Sequence, residues 1–179
     1  EIEGKNLLEL KQQELNSLRT EIGFLFQGSA LYDSMTVREN LEFPLRKRNI
    51  NAADKETLVI ETLNSVGLKS AIDLMPEELS GGMKRRVALA RALILKPKII
   101  IYDEPTTGLD PITAKEIIEL MKDIQLKYRT SSLIITHDID CARVISNRMI
   151  LLIDGINYAE GTFNELLAAK DKKIQAFFK

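Results

Sequence analysis

The sequence predicts an α/β fold built on a parallel sheet. Two apolar runs, Ile99-Ile100-Ile101-Tyr102 and Ser132-Leu133-Ile134-Ile135-Thr136, show no polar alternation and read as strands buried on both faces. Each ends at polar residues, Asp103-Glu104-Pro105 after the first and His137-Asp138 after the second. Around them lie stretches with apolar residues three and four apart, the spacing of amphipathic helices. Ligands of open α/β sheets sit at the carboxyl ends of strands, so both polar stops fall where chemistry is expected. Adjacent side chains on an extended chain point opposite ways, so Asp103 and Glu104 are expected to do different jobs. One would hold a metal and the other a water, unless the pair merely opens a loop.

A length of 179 residues suits one domain, and 45% apolar with 28% charged residues excludes disordered and fibrous classes. The formal net charge of -1 gives no sign of a bulk nucleic-acid partner. One cysteine, Cys141, cannot form an internal disulfide and favours a reducing compartment; its apolar neighbours suit a small core residue better than a nucleophile. No apolar run reaches the length of a membrane span, and no secretory signal is visible.

Taken in order, Gly4 to Asn6 reads as a turn, and Leu7 to Leu18 as a polar connection with a short helix that places Leu7, Leu8, Leu15 and Leu18 near one face. Ile22 to Phe26 reads as a strand. Gln27 follows, either as a turn residue or as an amide able to reach a bound metal or water. Thr36 with Glu39 forms a capping pattern that opens a helix towards Pro44, and a second helix spans Asp54 to Val66 with Gly67 as its stop. Two successive helices without a strand mark a small helical subdomain. Ser80 caps a long helix to about Leu95, with Met83, Val87, Ala90 and Ile94 along one face.

Gly81 and Gly82 are poor helix formers, about 1 kcal/mol each below Ala, so they serve either a tight turn or an anion site of bare amides. Arg85, Arg86 and Arg91 are expected on a solvated face, with phosphate contacts as the alternative. After Thr106-Thr107-Gly108-Leu109-Asp110-Pro111, a helix to about Tyr128 turns Ile117, Leu120, Met121 and Ile124 inward. His137 is the one histidine, and its place after a strand puts it in the same crevice as the carboxylates. A helix through Ala142 to Ile145, a strand Met149 to Ile153, the turn Asp154-Gly155, a last strand and one amphipathic helix from Thr162 to Phe178 complete the chain.

Gln27, Leu79-Ser80-Gly81-Gly82-Met83, Ile99 to Pro105, Gly108-Leu109-Asp110 and His137 occur in the order and approximate spacing of the ATPase subunits of ABC transporters. The chain resembles that family over essentially its whole length. The resemblance implies a P-loop NTPase core with a helical subdomain near residues 34–95, and ATP and Mg2+ as cofactors. It also implies a transmembrane permease partner, a homodimer and a place at the inner face of the cell membrane, with no nucleic-acid partner. Gln27 would be the glutamine that contacts Mg2+ and signals to the membrane partner, and Asp103 the aspartate that supports the metal. Glu104 would polarise the attacking water and His137 hydrogen-bond the γ-phosphate. Ser80, Gly81 and Gly82 would bind ATP held by the opposite subunit, and Asp110 would lie at the dimer interface.

Two departures stand out. The Gly-x-x-x-x-Gly-Lys-Ser/Thr phosphate loop is absent, since Gly4-Lys5 is followed by Asn6 and has no upstream glycine. The chain starts Glu1-Ile2-Glu3-Gly4, without Met and in what reads as the middle of a strand and turn. The expectation is a longer ATPase of which these residues are a piece, inactive alone. Apolar faces would then be uncovered and buried by self-association. Met83 also stands where most relatives have Gln. With the stretch Gln27 to Arg46, it makes the chain similar to the ATPases of MCE-associated lipid-trafficking transporters. A non-transport ABC ATPase and a non-catalytic interaction module are the alternatives.

Overall fold

In the computed structural model, which describes residues 1–2 and 4–178, three strands form a parallel sheet in the order β1 (Ile22–Leu25), β2 (Ile99–Asp103), β3 (Ser131–Ile135). Ile22 pairs with Ile99 and Leu25 with Tyr102; Ile99 pairs with Ser131 and Asp103 with Ile135. All three strands therefore end at one edge of the sheet.

Among the described residues, eight α-helices accompany the strands. They are α1 (Gln12–Thr20), α2 (Val37–Glu42), α3 (Ala52–Ser65), α4 (Gly81–Leu93), α5 (Pro111–Tyr128), α6 (Ile139–Ile145), α7 (Phe163–Leu167) and α8 (Lys172–Gln175). Thr36 and Ser80 cap helices as expected, and Asn51, Asp110 and Asp138 do so besides. Thr36 and Glu39 close a reciprocal capping box on α2, and the side chains of Asn51, Ser80, Asp110 and Asp138 accept main-chain amides at the starts of α3, α4, α5 and α6. Gly67, at φ +72°, adopts the left-handed conformation just past α3.

The main core lies under one face of the sheet. Ile100 and Tyr102 point into it with Leu25, meeting Val87, Leu89 and Ala90 of α4 and Ile117, Met121 and Ile124 of α5. Full burial of each large aliphatic side chain here contributes about 1.5–3 kcal/mol. The helix α4 packs directly on β1, and Gly23 is what permits it. A Cβ at Gly23 would stand 2.6 Å from the carbonyl oxygen of Ala92. The helices α2, α3 and α5 pack around α4 in turn.

The opposite face is open, which corrects the expectation of strands buried on both sides. Leu133 is 55% and Ile135 46% exposed, beside the exposed Phe24 and partly exposed Ile99 and Ile101. Phe24 and Phe26 stack on each other with ring centroids 4.2 Å apart. Apolar runs without alternation prescribe two covered faces, but among the described residues Phe24, Leu133 and Ile135 on the second stay exposed.

Three local readings also change. Leu7 and Leu8 precede α1 rather than sharing its face, because Asn6 accepts the amide of Leu8 in a local turn, and Leu8 lies fully in solvent. The helix from Val37 passes at Phe43 into a 3-10 turn, Phe43–Lys47, that carries Pro44. The expected single helix over Thr162 to Phe178 is two, α7 and α8, because Thr162 and Asp171 each start a new cap. The break lets Leu166, Ile174 and Phe178 all reach a second small core with Met149 and Leu151. Those last two belong to β4 (Met149–Ile153), which pairs antiparallel with β5 (Ile156–Gly161) across the left-handed pair Asp154-Gly155. Glu3, part of the expected entering strand, lies outside the described residues.

Candidate functional site

The parallel sheet brings the polar stops together. Gln27 lies two residues past the end of β1, Asp103 and Glu104 straddle the end of β2, and His137 lies two residues past β3. Paired strands are neighbours in the hydrogen-bonding direction, so groups more than a hundred residues apart in sequence share one rim.

Glu104 is the pivot of that rim. Its φ of +46° is rare for a residue with a side chain, and such strain persists where the surroundings over-determine it. Its amide extends the β2–β3 ladder by donating to the carbonyl of Ile135 at 2.9 Å. The left-handed step then turns the side chain towards His137, whose Nδ1 is 2.9 Å from Oε1. Oε2 accepts the hydroxyl of Thr107 at 2.9 Å. Partial burial pushes the Glu104 carboxyl up, yet the bonds with His137 and Thr107 together outweigh it and leave it below the usual carboxylate range. The hydrogen bond to Glu104, and then the carboxylate's charge, raise the His137 imidazole above its ordinary value.

The loop bearing His137 is tied to the same turn. Thr106, almost fully buried, donates to Oδ2 of Asp138 at 2.8 Å, while Oδ1 of Asp138 accepts the amide of Cys141 at 3.0 Å. Cys141 is buried, and burial pushes its thiol up to about 12, so it is an inert core residue as expected.

The side chain of Asp103, at the last ladder position of β2, makes no hydrogen bond or ion pair among the described residues, which leaves its carboxylate free for a ligand. A hard carboxylate together with the amide oxygen of Gln27 is a donor set suited to Mg2+. Gln27 is exposed and sits in a tight turn where Gly28, Ser29 and Ala30 all have positive φ. Asp110 caps α5, accepting the amides of Ile112 and Thr113 at 3.0 Å each, and its bonds to Thr113 lead those that hold it below its ordinary value.

Ser80 takes the amide of Met83 at 3.2 Å, and no hydrogen bond joins it to Glu104 or His137 among the described residues. The two glycines differ. Gly81 has ordinary room beside Leu109, but a Cβ on Gly82 would stand 2.6 Å from Cγ2 of Thr113. Close packing of α4 on the start of α5 is therefore one reason for Gly82. The oxygen donors at the strand ends are of the kind Mg2+ takes, but among the described residues no group of three His, Cys, Asp or Glu side chains gathers to hold a metal, and no motif for a phosphate loop lies within these 179 residues.

The arginines correct the sequence reading. Arg85 is buried and donates to the carbonyls of Phe26 at 3.0 Å and Thr107 at 3.2 Å. Arg91 donates to the carbonyl of Ser29, and Arg86 to that of Val66 while pairing with Glu116. These side chains staple loops to α4 because α4 is surrounded by other elements and has little solvated face. Sequence reading also missed Thr106, Thr107 and Asp138. Their signal was hydroxyls two and three residues after Glu104, and a carboxylate next to His137.

A family model described as ABC transporter matches residues 1–107, more than half of the chain. The intermembrane phospholipid transport system ATP-binding protein MlaF of Haemophilus influenzae is 36% identical over 178 residues, which cover 99% of this chain and 67% of that protein. The methionine import ATP-binding protein MetN of Streptococcus mutans is 42% identical over 159 residues, 89% of this chain and 45% of that protein. The chain thus spans about two thirds of the first relative and under half of the second. Among solved structures, the ATP-binding cassette MJ0796, described as a dimer in a post-hydrolysis state bound to ADP and Pi, superposes with a TM-score of 0.79 at 34% identity, over 90% of this chain and 72% of that one. With the family model over most of its length and these relatives along nearly all of it, the chain belongs to the ABC transporter family, as a sequence of its ATPase domain.

Proposed function

We propose that the protein carrying this chain is the ATP-binding subunit of a transporter and couples ATP hydrolysis to the work of a membrane-embedded partner. The observation that carries this reading is the Glu104–His137 pair at the strand ends, with Asp103 unpaired beside it. Phosphoryl transfer asks little covalent chemistry of a protein; it needs a positioned water and oriented charge. Glu104, held ionised by His137 and Thr107, is placed to orient and polarise a water. His137 holds that carboxylate and offers its other ring nitrogen to a phosphate oxygen. Asp103 and Gln27 would hold Mg2+, which when bound neutralises charge on phosphate oxygens.

Ser80, Gly81 and Gly82 at the start of α4, with Asp110 at the start of α5, would face a second subunit in a dimer. The dimeric cassette MJ0796 supports that arrangement. Residues 34–95 would form the helical subdomain, with α2 and α3 resting on α4. No helix among the described residues is long and apolar enough to cross a membrane, and the transport path is assigned to the partner. We place the protein at the inner face of the cell membrane and read its cargo class as phospholipid, on the similarity to MlaF. The similarity to MetN makes import of a small solute the second reading.

Two measurements test this proposal. In the natural protein assembled with its membrane partner, Glu104→Gln is expected to abolish Mg-dependent ATP hydrolysis; undiminished turnover would remove the assignment. Calorimetric titration of Mg-ATP into the 179-residue chain alone is expected to show no binding, because no phosphate loop is present. Binding at micromolar strength, about -8 kcal/mol, would reveal a phosphate site elsewhere in these residues.

A further inference from the structure

A guanidinium withdrawn from water without a carboxylate partner is an expensive feature, retained where its donors do something an apolar side chain cannot. Arg85 is such a group. It is 3% exposed, forms no ion pair among the described residues, and loses basicity through burial. Its Nη1 donates to the carbonyl of Phe26 at 3.0 Å and its Nη2 to the carbonyl of Thr107 at 3.2 Å.

Each carbonyl belongs to a working turn. That of Phe26 immediately precedes Gln27 and also accepts the amide of Ser29 at 3.1 Å, closing the left-handed turn that presents Gln27. That of Thr107 belongs to the residue whose hydroxyl holds Oε2 of Glu104. One rigid fork on α4 therefore fixes the Gln27 turn and the Glu104 turn at a set separation. We propose that Arg85 is a positioning residue that couples Gln27 to Glu104, so that displacement of either turn is passed to the other. This rests on the reading above, in which both residues serve one nucleotide.

Neighbouring arginines do not duplicate it. Arg91 reaches the Gln27 turn alone, through Ser29, and Arg86 reaches neither. A planar, permanently charged fork suits two carbonyls at a fixed spacing, which a single ammonium matches less well.

The test is amide hydrogen exchange on the 179-residue chain with Arg85→Met and Arg85→Lys. With Arg85→Met, exchange of the Ser29 amide and of the Thr107 and Leu109 amides is expected to rise together by about tenfold while α3 is unchanged. Arg85→Lys, which keeps a donor, is expected to move both turns in the same direction by about threefold, and it carries the test if the Met variant does not fold. A rise in one turn only, no rise, or a uniform rise through α3 and α4 would overturn the coupling. In the natural protein assembled with its membrane partner, Arg85→Met is expected to lower kcat about tenfold with KM for ATP held, and Arg85→Lys to recover part of the loss. A raised KM with kcat held would overturn it. Should the unaltered protein turn over no ATP while the exchange of the two turns still rises together, the ATPase reading falls and the coupling stands.

Discussion

Nδ1 of His137 lies 2.9 Å from Oε1 of Glu104, joining the ends of two adjacent parallel strands through side chains 33 residues apart in sequence. The pair sets the protonation states at the rim, and its pH behaviour follows from the direction of each shift. His137 is raised, so its contribution is present below its unfolded value and is lost as pH rises through the elevated value. Glu104 is lowered, so its contribution is present above its unfolded value and is lost as pH falls through the depressed one. The contact is strongest between the two. Because the chain has one histidine, its NMR titration needs no assignment. A midpoint above the ordinary 6.5 is expected, falling back towards it in Glu104→Gln. A midpoint at or below 6.5 in the unaltered chain would show that the pair does not form in solution.

The two threonines after Pro105 hold different partners and separate by substitution. Thr106→Val leaves Oδ2 of Asp138 without its buried donor and is expected to cost about 1–3 kcal/mol in urea unfolding. Thr107→Val releases Glu104, at the edge of the rim, and is expected to cost at most about 1 kcal/mol. Equal costs would mean that the Thr106 hydroxyl is no more important than the Thr107 one.

A Cβ added at Gly23 or at Gly82 would stand 2.6 Å from a neighbour, but the neighbours differ in kind. At Gly23 the obstacle is the main chain of α4, which cannot step aside, and Gly23→Ala is expected to destabilise by about 1–3 kcal/mol. At Gly82 the obstacle is one methyl group of Thr113. Thr113→Ser removes that methyl and keeps the hydroxyl that bonds Asp110, so it is expected to recover much of the loss caused by Gly82→Ala. Additive losses in the double variant would refute the contact.

The uncovered sheet face is expected to make the chain self-associate, because contiguous apolar surface of this kind is rare on monomers. Light scattering should give a mass above 20.2 kDa for the unaltered chain, and Leu133→Lys should lower the association without unfolding it, since Leu133 is 55% exposed. A compact monomer at high micromolar concentration would count against the idea.

Local chemistry carried much of the reading. Thr36 and Ser80 announce their helices because a cap needs only a side-chain oxygen and amides two or three residues on. The residues gathered at the strand ends were legible because apolar runs that stop at polar groups mark the ligand edge of a parallel sheet. Distance in sequence hid the rest. Whether a strand has one covered face or two depends on elements that its own residues do not encode, so Leu133 and Ile135 read as buried and stand exposed. A basic run on a helix looks solvated until neighbouring turns close over it, as they do over Arg85 from 59 residues before and 22 after. The single long helix expected at the end broke because one small core drew Leu166, Ile174 and Phe178 to the same place. Helix caps and strand runs are short-range physics written in neighbouring residues. Burial and the partners of a charged side chain are settled by packing, which becomes definite once distant segments meet.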